Sequence, residues 1–185
     1  VFVREDGVLM AAPFDPKSSR KLGAPVALVS DISFTCNNAA VFAIGGEGTA
    51  IHTTGFVRGS DRVLSSLVRI DPADGSRERL PFEAEAFLPG NSLSPDGERL
   101  TVATWDGPLW IYDLSRGTRL KLPDGGAVGR RIRPEWSPDG TKIAYSIEDP
   151  DNDGAHLYVQ AADGTGEARM LSAAPGETYA RGWTP

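Results

Sequence analysis

The chain is 185 residues long and carries a formal net charge of −6, an acidic balance that argues against nucleic acid or an anionic membrane surface as a partner. With 40% hydrophobic and 24% charged residues it has a globular composition, and no apolar run reaches the length a membrane-spanning helix needs. The single Cys36 excludes an intramolecular disulfide and a cysteine-based zinc cluster, while 21 Gly and 14 Pro foretell many short turns rather than long helices.

In chain order, Val1-Phe2-Val3-Arg4, Val8-Leu9-Met10-Ala11 and Val26-Ala27-Leu28-Val29 read as strands, the first two joined by the turn formers Asp6-Gly7. Phe34-Thr35-Cys36-Asn37-Asn38-Ala39-Ala40-Val41-Phe42-Ala43 follows, with Asn37-Asn38 as its turn, since Asn tolerates left-handed geometry. A long excursion through Gly45-Gly46-Glu47-Gly48 leads to strands at Leu67-Val68-Arg69-Ile70 and Arg79-Leu80. Next comes Leu93-Ser94-Pro95-Asp96-Gly97-Glu98-Arg99-Leu100, answered 43 residues later by Trp136-Ser137-Pro138-Asp139-Gly140-Thr141-Lys142-Ile143. Pro sets φ at the second turn position, Asp bonds its own backbone and Gly accepts positive φ, so each Ser-Pro-Asp-Gly predicts a tight reversal.

After each reversal the residues alternate. Ile143, Tyr145 and Ile147 fall on one side and Ala144 and Ser146 on the other, a period-two strand. A third strand (Leu109-Trp110-Ile111-Tyr112, Leu157-Tyr158-Val159) and a fourth (Arg119-Leu120-Lys121-Leu122, Ala168-Arg169-Met170-Leu171) complete each unit. Four strands per repeat of this length make a propeller blade. The fold expected is all-β: a β-propeller segment of about four blades at 1–31, 32–88, 89–130 and 131–180, with residues 181–185 opening a further one. The first unit lacks its own first strand and the last is cut inside one, so the chain reads as an arc of a larger ring within a longer polypeptide. Closure of a small four-bladed ring by the last strand is the other reading.

The run Trp-Ser-Pro-Asp-Gly-x-x-Ile-Ala-Tyr-Ser, followed by a Leu-Tyr-Val strand, resembles the propeller repeats of the TolB type, which are WD40-like and also occur in prolyl-oligopeptidase-like serine peptidases and in the C-terminal regions of bacterial serine/threonine kinases. The resemblance is strongest over residues 93–122 and 136–171. The opening Val3-Arg4-Glu5-Asp6-Gly7-Val8-Leu9-Met10-Ala11-Ala12-Pro13-Phe14-Asp15 looks most like the propeller that follows such a kinase domain. The resemblance implies a scaffold for binding protein or peptide, and it favours a periplasmic or other extracytoplasmic setting in a bacterium. No kinase phosphate loop and no Gly-x-Ser-x-Gly nucleophile elbow is present.

Two constellations hold candidate site residues. Gly129-Arg130-Arg131-Ile132-Arg133 enters the innermost strand of the fourth blade, and alternation places Arg131 and Arg133 on one side, where they are candidates for holding an anionic group in the channel. The alternative reading is an exposed loop that offsets the acidic surface. Tyr179 and Arg181 occupy the comparable entry before Trp183. The acidic hairpin Asp149-Pro150-Asp151-Asn152-Asp153-Gly154 matches the first half of a calcium loop, and Gln160 stands where the closing Glu would be, so Asp149, Asp151 and Asp153 support at most weak calcium binding. No other cofactor is expected. His52 and His156 have no metal-pair spacing, and Trp136 and Trp183, recurring at blade starts, are read as packing between blades. The function expected is a non-catalytic scaffold for a protein or peptide partner, without nucleic acid binding or membrane insertion. The alternatives are the propeller of a prolyl-oligopeptidase-like peptidase and a propeller hydrolase with a channel-bound metal.

Overall fold

The structure is a computed structural model that describes residues 1–30, 32, 42–45, 50–54, 64–71, 74–88, 90–126, 128–149, 154–172, 176–180 and 182–183. All regular structure in these residues is strand. β1 (Phe2–Val3), β2 (Leu9–Ala11) and β5 (Val26–Val29) form a three-stranded sheet, with a hairpin of β3 (Phe14–Asp15) and β4 (Arg20–Lys21) inserted before its last strand. β6 (Phe42–Ile44), β7 (Ala50–Thr54), β8 (Ser66–Ile70) and β9 (Arg77–Arg79) form the second sheet. β10 (Ser92–Leu93), β11 (Arg99–Ala103), β12 (Leu109–Asp113) and β13 (Thr118–Lys121) form the third. β14 (Arg130–Trp136), β15 (Lys142–Asp149), β16 (Gly154–Ala161) and β17 (Arg169–Ser172) form the fourth, and β18 (Gly176–Glu177) pairs with β16 in parallel.

Both Ser-Pro-Asp-Gly turns close by the same bonds. The Gly140 amide donates to the Ser137 carbonyl at 2.9 Å, as Gly97 does to Ser94 at 2.8 Å. The Ser137 hydroxyl donates to Asp139 Oδ1 at 2.5 Å and accepts from the Lys142 amide at 2.9 Å, while the same carboxylate oxygen accepts from the Thr141 amide at 3.0 Å. In the preceding repeat Ser94 bonds Asp96, and the Arg99 amide donates to the Ser94 hydroxyl at 2.9 Å. Each short polar side chain thus takes a donor or acceptor that the reversal leaves without a ladder partner.

The sheets pack face to face, and the alternation of each strand distributes its side chains between two neighbours. In the third sheet Leu100, Val102 and Tyr112 meet Ala43, Ile51 and Leu67 of the second, whereas Ala103, Leu109 and Ile111 meet Ile143, Tyr145 and Ile147 of the fourth. In the second sheet Ala50 and Ile70 turn the other way, onto Leu9 and Val29 of the first. Removing each large side chain from water contributes on the order of 1.5–3 kcal/mol, and no single sheet has a partner for either of its faces within itself. β9 and β13 are exposed along their whole length, so they are the outer strands, and β6, β10 and β14, whose inner edges adjoin, line the axis. The sheets form an open arc.

Hydrogen bonds tie the fourth sheet to the third, and the segment after the fourth sheet to it, at equivalent positions. The Trp136 indole donates to the Ser92 carbonyl at 3.1 Å, and the Trp183 indole donates to the Glu135 carbonyl at 3.2 Å. Ser92 and Glu135 are the same repeat position, one residue before Leu93 and Trp136. The Arg99 guanidinium lies 4.5 Å over the Trp136 ring and donates to the Gly140 carbonyl at 3.2 Å, joining the two Ser-Pro-Asp-Gly turns. At the entry to the fourth sheet Gly129 has φ of 127°, and a Cβ there would collide with the Glu148 carbonyl oxygen, so only glycine fits.

The second sheet departs from the sequence reading. Phe42–Ile44, expected to follow a turn at Asn37-Asn38, instead occupies the innermost place of the sheet, pairs with β7 and contacts β10. Phe34 and Asn37-Asn38 lie outside the described residues. The inner-strand position is set by burial: Ala43 and Ile51 pair across β6 and β7 and both enter the core shared with the third sheet.

Two outcomes check this architecture. Trp136→Phe keeps most of the buried ring and loses the indole bond, and is expected to cost about 1 kcal/mol in urea unfolding, against about 3–5 kcal/mol for Trp136→Ala. The turn bonds, the Ser137 hydroxyl first, hold the Asp139 carboxyl down at about 2 against an ordinary 3.8. Its contribution is therefore fully present above the ordinary value and is lost as pH falls through the folded one. Acid titration monitored by circular dichroism is expected to show a smaller loss of stability between pH 4 and about 2 in Asp139→Asn, from a lower starting stability, than in the parent.

Candidate functional site

The residues singled out at the entry to the fourth sheet are dispersed by one local feature. In β14, Arg131 pairs with Ile147 and Ile132 with Ser146, but Glu135 pairs with Ala144. Arg133 and Pro134 therefore stand opposite Tyr145 alone, which is a β-bulge. Pro134 has no amide hydrogen to offer a ladder, and Arg133 adopts φ of 52°, a left-handed conformation costly to a residue with a Cβ. The bulge reverses the parity of the strand, so Arg131 and Trp136 both face the third sheet although they are five positions apart.

Arg131 is 4% exposed. Its guanidinium donates to the Asp124 carbonyl at 2.7 Å and lies 3.4 Å from the Asp124 carboxylate, on the linker between β13 and β14. Beside it the Tyr145 hydroxyl donates to Gln160 Oε1 at 3.1 Å, and burial pushes the Tyr145 phenol up while Arg131 opposes that shift. This is a buried network inside the seam between the third and fourth sheets, so alternation did not carry Arg131 into the channel. Arg130 pairs with Glu148 at 2.5 Å and lies 5.0 Å over the Trp105 ring.

Arg133 is different. It is half-buried, its guanidinium lies 4.2 Å over the Tyr179 ring, and it makes no ion pair among the described residues. Arg99 donates to Gly140, Arg119 pairs with Glu85, and Arg130 pairs with Glu148, so those stacked cations are also satisfied by the protein. The structure thus brings Arg133 and Tyr179 together and separates Arg130 and Arg131 from them. Arg181, Asp151 and Asp153 lie outside the described residues, as does the side chain of Asp149. Among the described residues no group of three or more His, Cys, Asp and Glu side chains is placed to hold a metal.

Sequence reasoning passed over the neighbouring inner edge. A cavity of about 370 Å³ lies where β6, β10 and β14 meet, lined among others by Phe42, Ile44, Ser92, Leu93, Glu135 and Trp136. Glu135 is half-buried there, and its side-chain partner is the Ser92 hydroxyl at 3.4 Å. Burial pushes the Glu135 carboxyl above its ordinary range, with the Ser92 bond acting in the opposite sense. The signal available in the sequence was the mismatch between repeats, an acid where the preceding unit has Ser92.

No family model matches the chain. In sequence it is similar to the uncharacterized peptidase YuxL of Bacillus subtilis (strain 168), with 32% identity over 101 residues, 50% of this chain and 15% of that protein. In structure it is similar to a chain of a nidogen/laminin complex, at a TM-score of 0.62 and 15% identity, covering 90% of this chain and 59% of that one. It is likewise similar to TolB from Acinetobacter baumannii, at a TM-score of 0.56 and 16% identity, covering 86% and 36% respectively. The chain spans under a fifth of the peptidase relative's length. The fold is a β-propeller of the TolB-like and WD40-like kind, present as a partial ring.

Alanine substitutions separate the two arginines. Arg131→Ala removes a buried, hydrogen-bonded charge and is expected to cost about 2–4 kcal/mol. Arg133→Ala loses only a partly exposed stacking contact and is expected to change stability by less than about 1 kcal/mol. Urea unfolding of both variants measures the contrast.

Proposed function

We propose that this propeller arc is a non-catalytic scaffold that binds protein or peptide, with its contact surface on the rim where Arg133 lies over Tyr179. The observation that carries the reading is Arg133 itself: a cation held in a left-handed backbone conformation, stacked on an aromatic ring and left without an acidic partner among the described residues. Strain retained at a partly exposed residue is a mark of sites that contact something else. Its guanidinium has donors free for the carboxylates or carbonyls of a polypeptide, and Tyr179 supplies the rigid apolar surface on which binding energy concentrates. One structural neighbour comes from a protein–protein complex, nidogen with laminin. The setting we infer is a longer bacterial protein, a kinase among the candidates, with the propeller outside the cytoplasm. Asp149, Asp151 and Asp153 are proposed as ligands of weak calcium binding.

A second reading is favoured by the partial identity to the peptidase relative: the arc belongs to a propeller that serves a peptidase domain. The complete reading frame distinguishes the two, since a nucleophile elbow would mark the peptidase and a kinase catalytic loop the sensor.

Selection of random displayed peptides tests the scaffold reading. The parent chain is expected to select peptides that lose at least tenfold in affinity on Arg133→Glu and keep it on Arg116→Glu, a charge change on the exposed outer turn. Failure to select any peptide, or selection of peptides indifferent to Arg133→Glu, would overturn it.

A further inference from the structure

The inner edges of β6, β10 and β14 carry equivalent positions, and the side chains there are Ala43, Ser92 and Glu135. In each of the two indole ties the bond is accepted by the main-chain carbonyl of this position, at Ser92 and at Glu135. The fold therefore makes no demand for an acid: the second sheet is built with a methyl group there and the third with a hydroxyl. In the fourth the position holds a half-buried carboxylate, and no cation among the described residues pairs with it. The nearest arginine along the strand, Arg133, is stacked on Tyr179, and Arg99 lies over the Trp136 ring and bonds Gly140. Burying a carboxylate without a counter-charge is unfavourable, and burial pushes the Glu135 carboxyl up. A residue that costs stability and that its own repeat does without is explained by something it binds.

The surroundings define what that is. The cavity, about 370 Å³, is of the size that takes a small group. Its lining is largely polar, with Asn91, Ser92, Ser94 and Glu135 set beside Phe42, Ile44 and Leu93. A polar lining that holds one carboxylate without a counter-charge suits a cationic head, whose donors it can accept.

We infer that the cavity at the junction of β6, β10 and β14 is a cation subsite that takes the side chain of a lysine or arginine of a bound polypeptide against Glu135. The inference rests on the scaffold reading and names the chemistry of the partner. With Arg133 outside the cavity and Glu135 within it, the surface offers a peptide one positive and one negative anchor within three residues of the same strand. The fit commits to a basic residue in the partner, flanked by an acidic or carbonyl-rich segment that reaches Arg133.

The test is titration calorimetry of the whole chain with acetyl-Gly-Lys-Gly-amide, with the same peptide carrying norleucine for lysine, and with butylammonium. The lysine peptide is expected to bind, the norleucine peptide to bind at least tenfold more weakly, and butylammonium to bind more weakly than the lysine peptide. Glu135→Gln is expected to weaken the lysine peptide at least tenfold while melting at the same or a higher temperature, because it removes an unpaired buried charge. That rise separates lost binding from lost folding. Equal binding of the norleucine peptide, unchanged binding by Glu135→Gln, or no binding of the lysine peptide would overturn the subsite. So would butylammonium binding as tightly as the peptide, which would make a free amine the occupant. If displayed peptides depend on Arg133 but not on Glu135, the subsite falls and the scaffold stands.

Discussion

Every side chain along a strand faces one of two sides, and in the two middle sheets of this chain both sides are apolar. That constraint dictates the rest. Leu100 and Ala103, three residues apart in β11, bury themselves in different seams, so the third sheet is held only when both neighbours are in place. The stability of such an array is a sum of seams rather than the property of one core. Arg131, Tyr145 and Gln160, polar side chains inside a seam, find partners within it beside Asp124.

The parts of the fold readable in the sequence are those where local chemistry and tertiary packing agree. Ser-Pro-Asp-Gly encodes its turn in its own side chains, and the alternation of Ile143, Tyr145 and Ile147 matches the face they bury. Trp136 and Trp183 were legible as seam residues because they recur with the repeat. In the second sheet the spacing put the first reversal at Asn37-Asn38, which lie outside the described residues, and so gave Phe42–Ile44 no place at the inner edge. Burial of Ala43 with Ile51 decided the register instead.

The candidate site was legible only in outline. Arg133 and Tyr179 were singled out, and they do meet, but alternation also grouped Arg131 with Arg133. One residue, Pro134, held the warning: a proline inside a strand pattern signals a bulge, and a bulge changes which residues share a face. The positive φ that the bulge requires falls on an arginine, where no glycine or asparagine advertises it. Glu135 went unnoticed for a related reason, since its burial is a consequence of three strands meeting and leaves no trace in spacing.

The indole ties have a consequence for how such a protein diversifies. Trp136 and Trp183 are each seated on the main chain of the innermost strand before them, through a carbonyl that every residue type possesses. The tie is thereby uncoupled from the identity of the side chain at that position, which is a hydroxyl at Ser92 and a carboxylate at Glu135 with the indole seated in both. The innermost strand becomes a place where new chemistry is tried at little structural risk, and a duplicated unit arrives with its mooring intact and its axial side chain open to change.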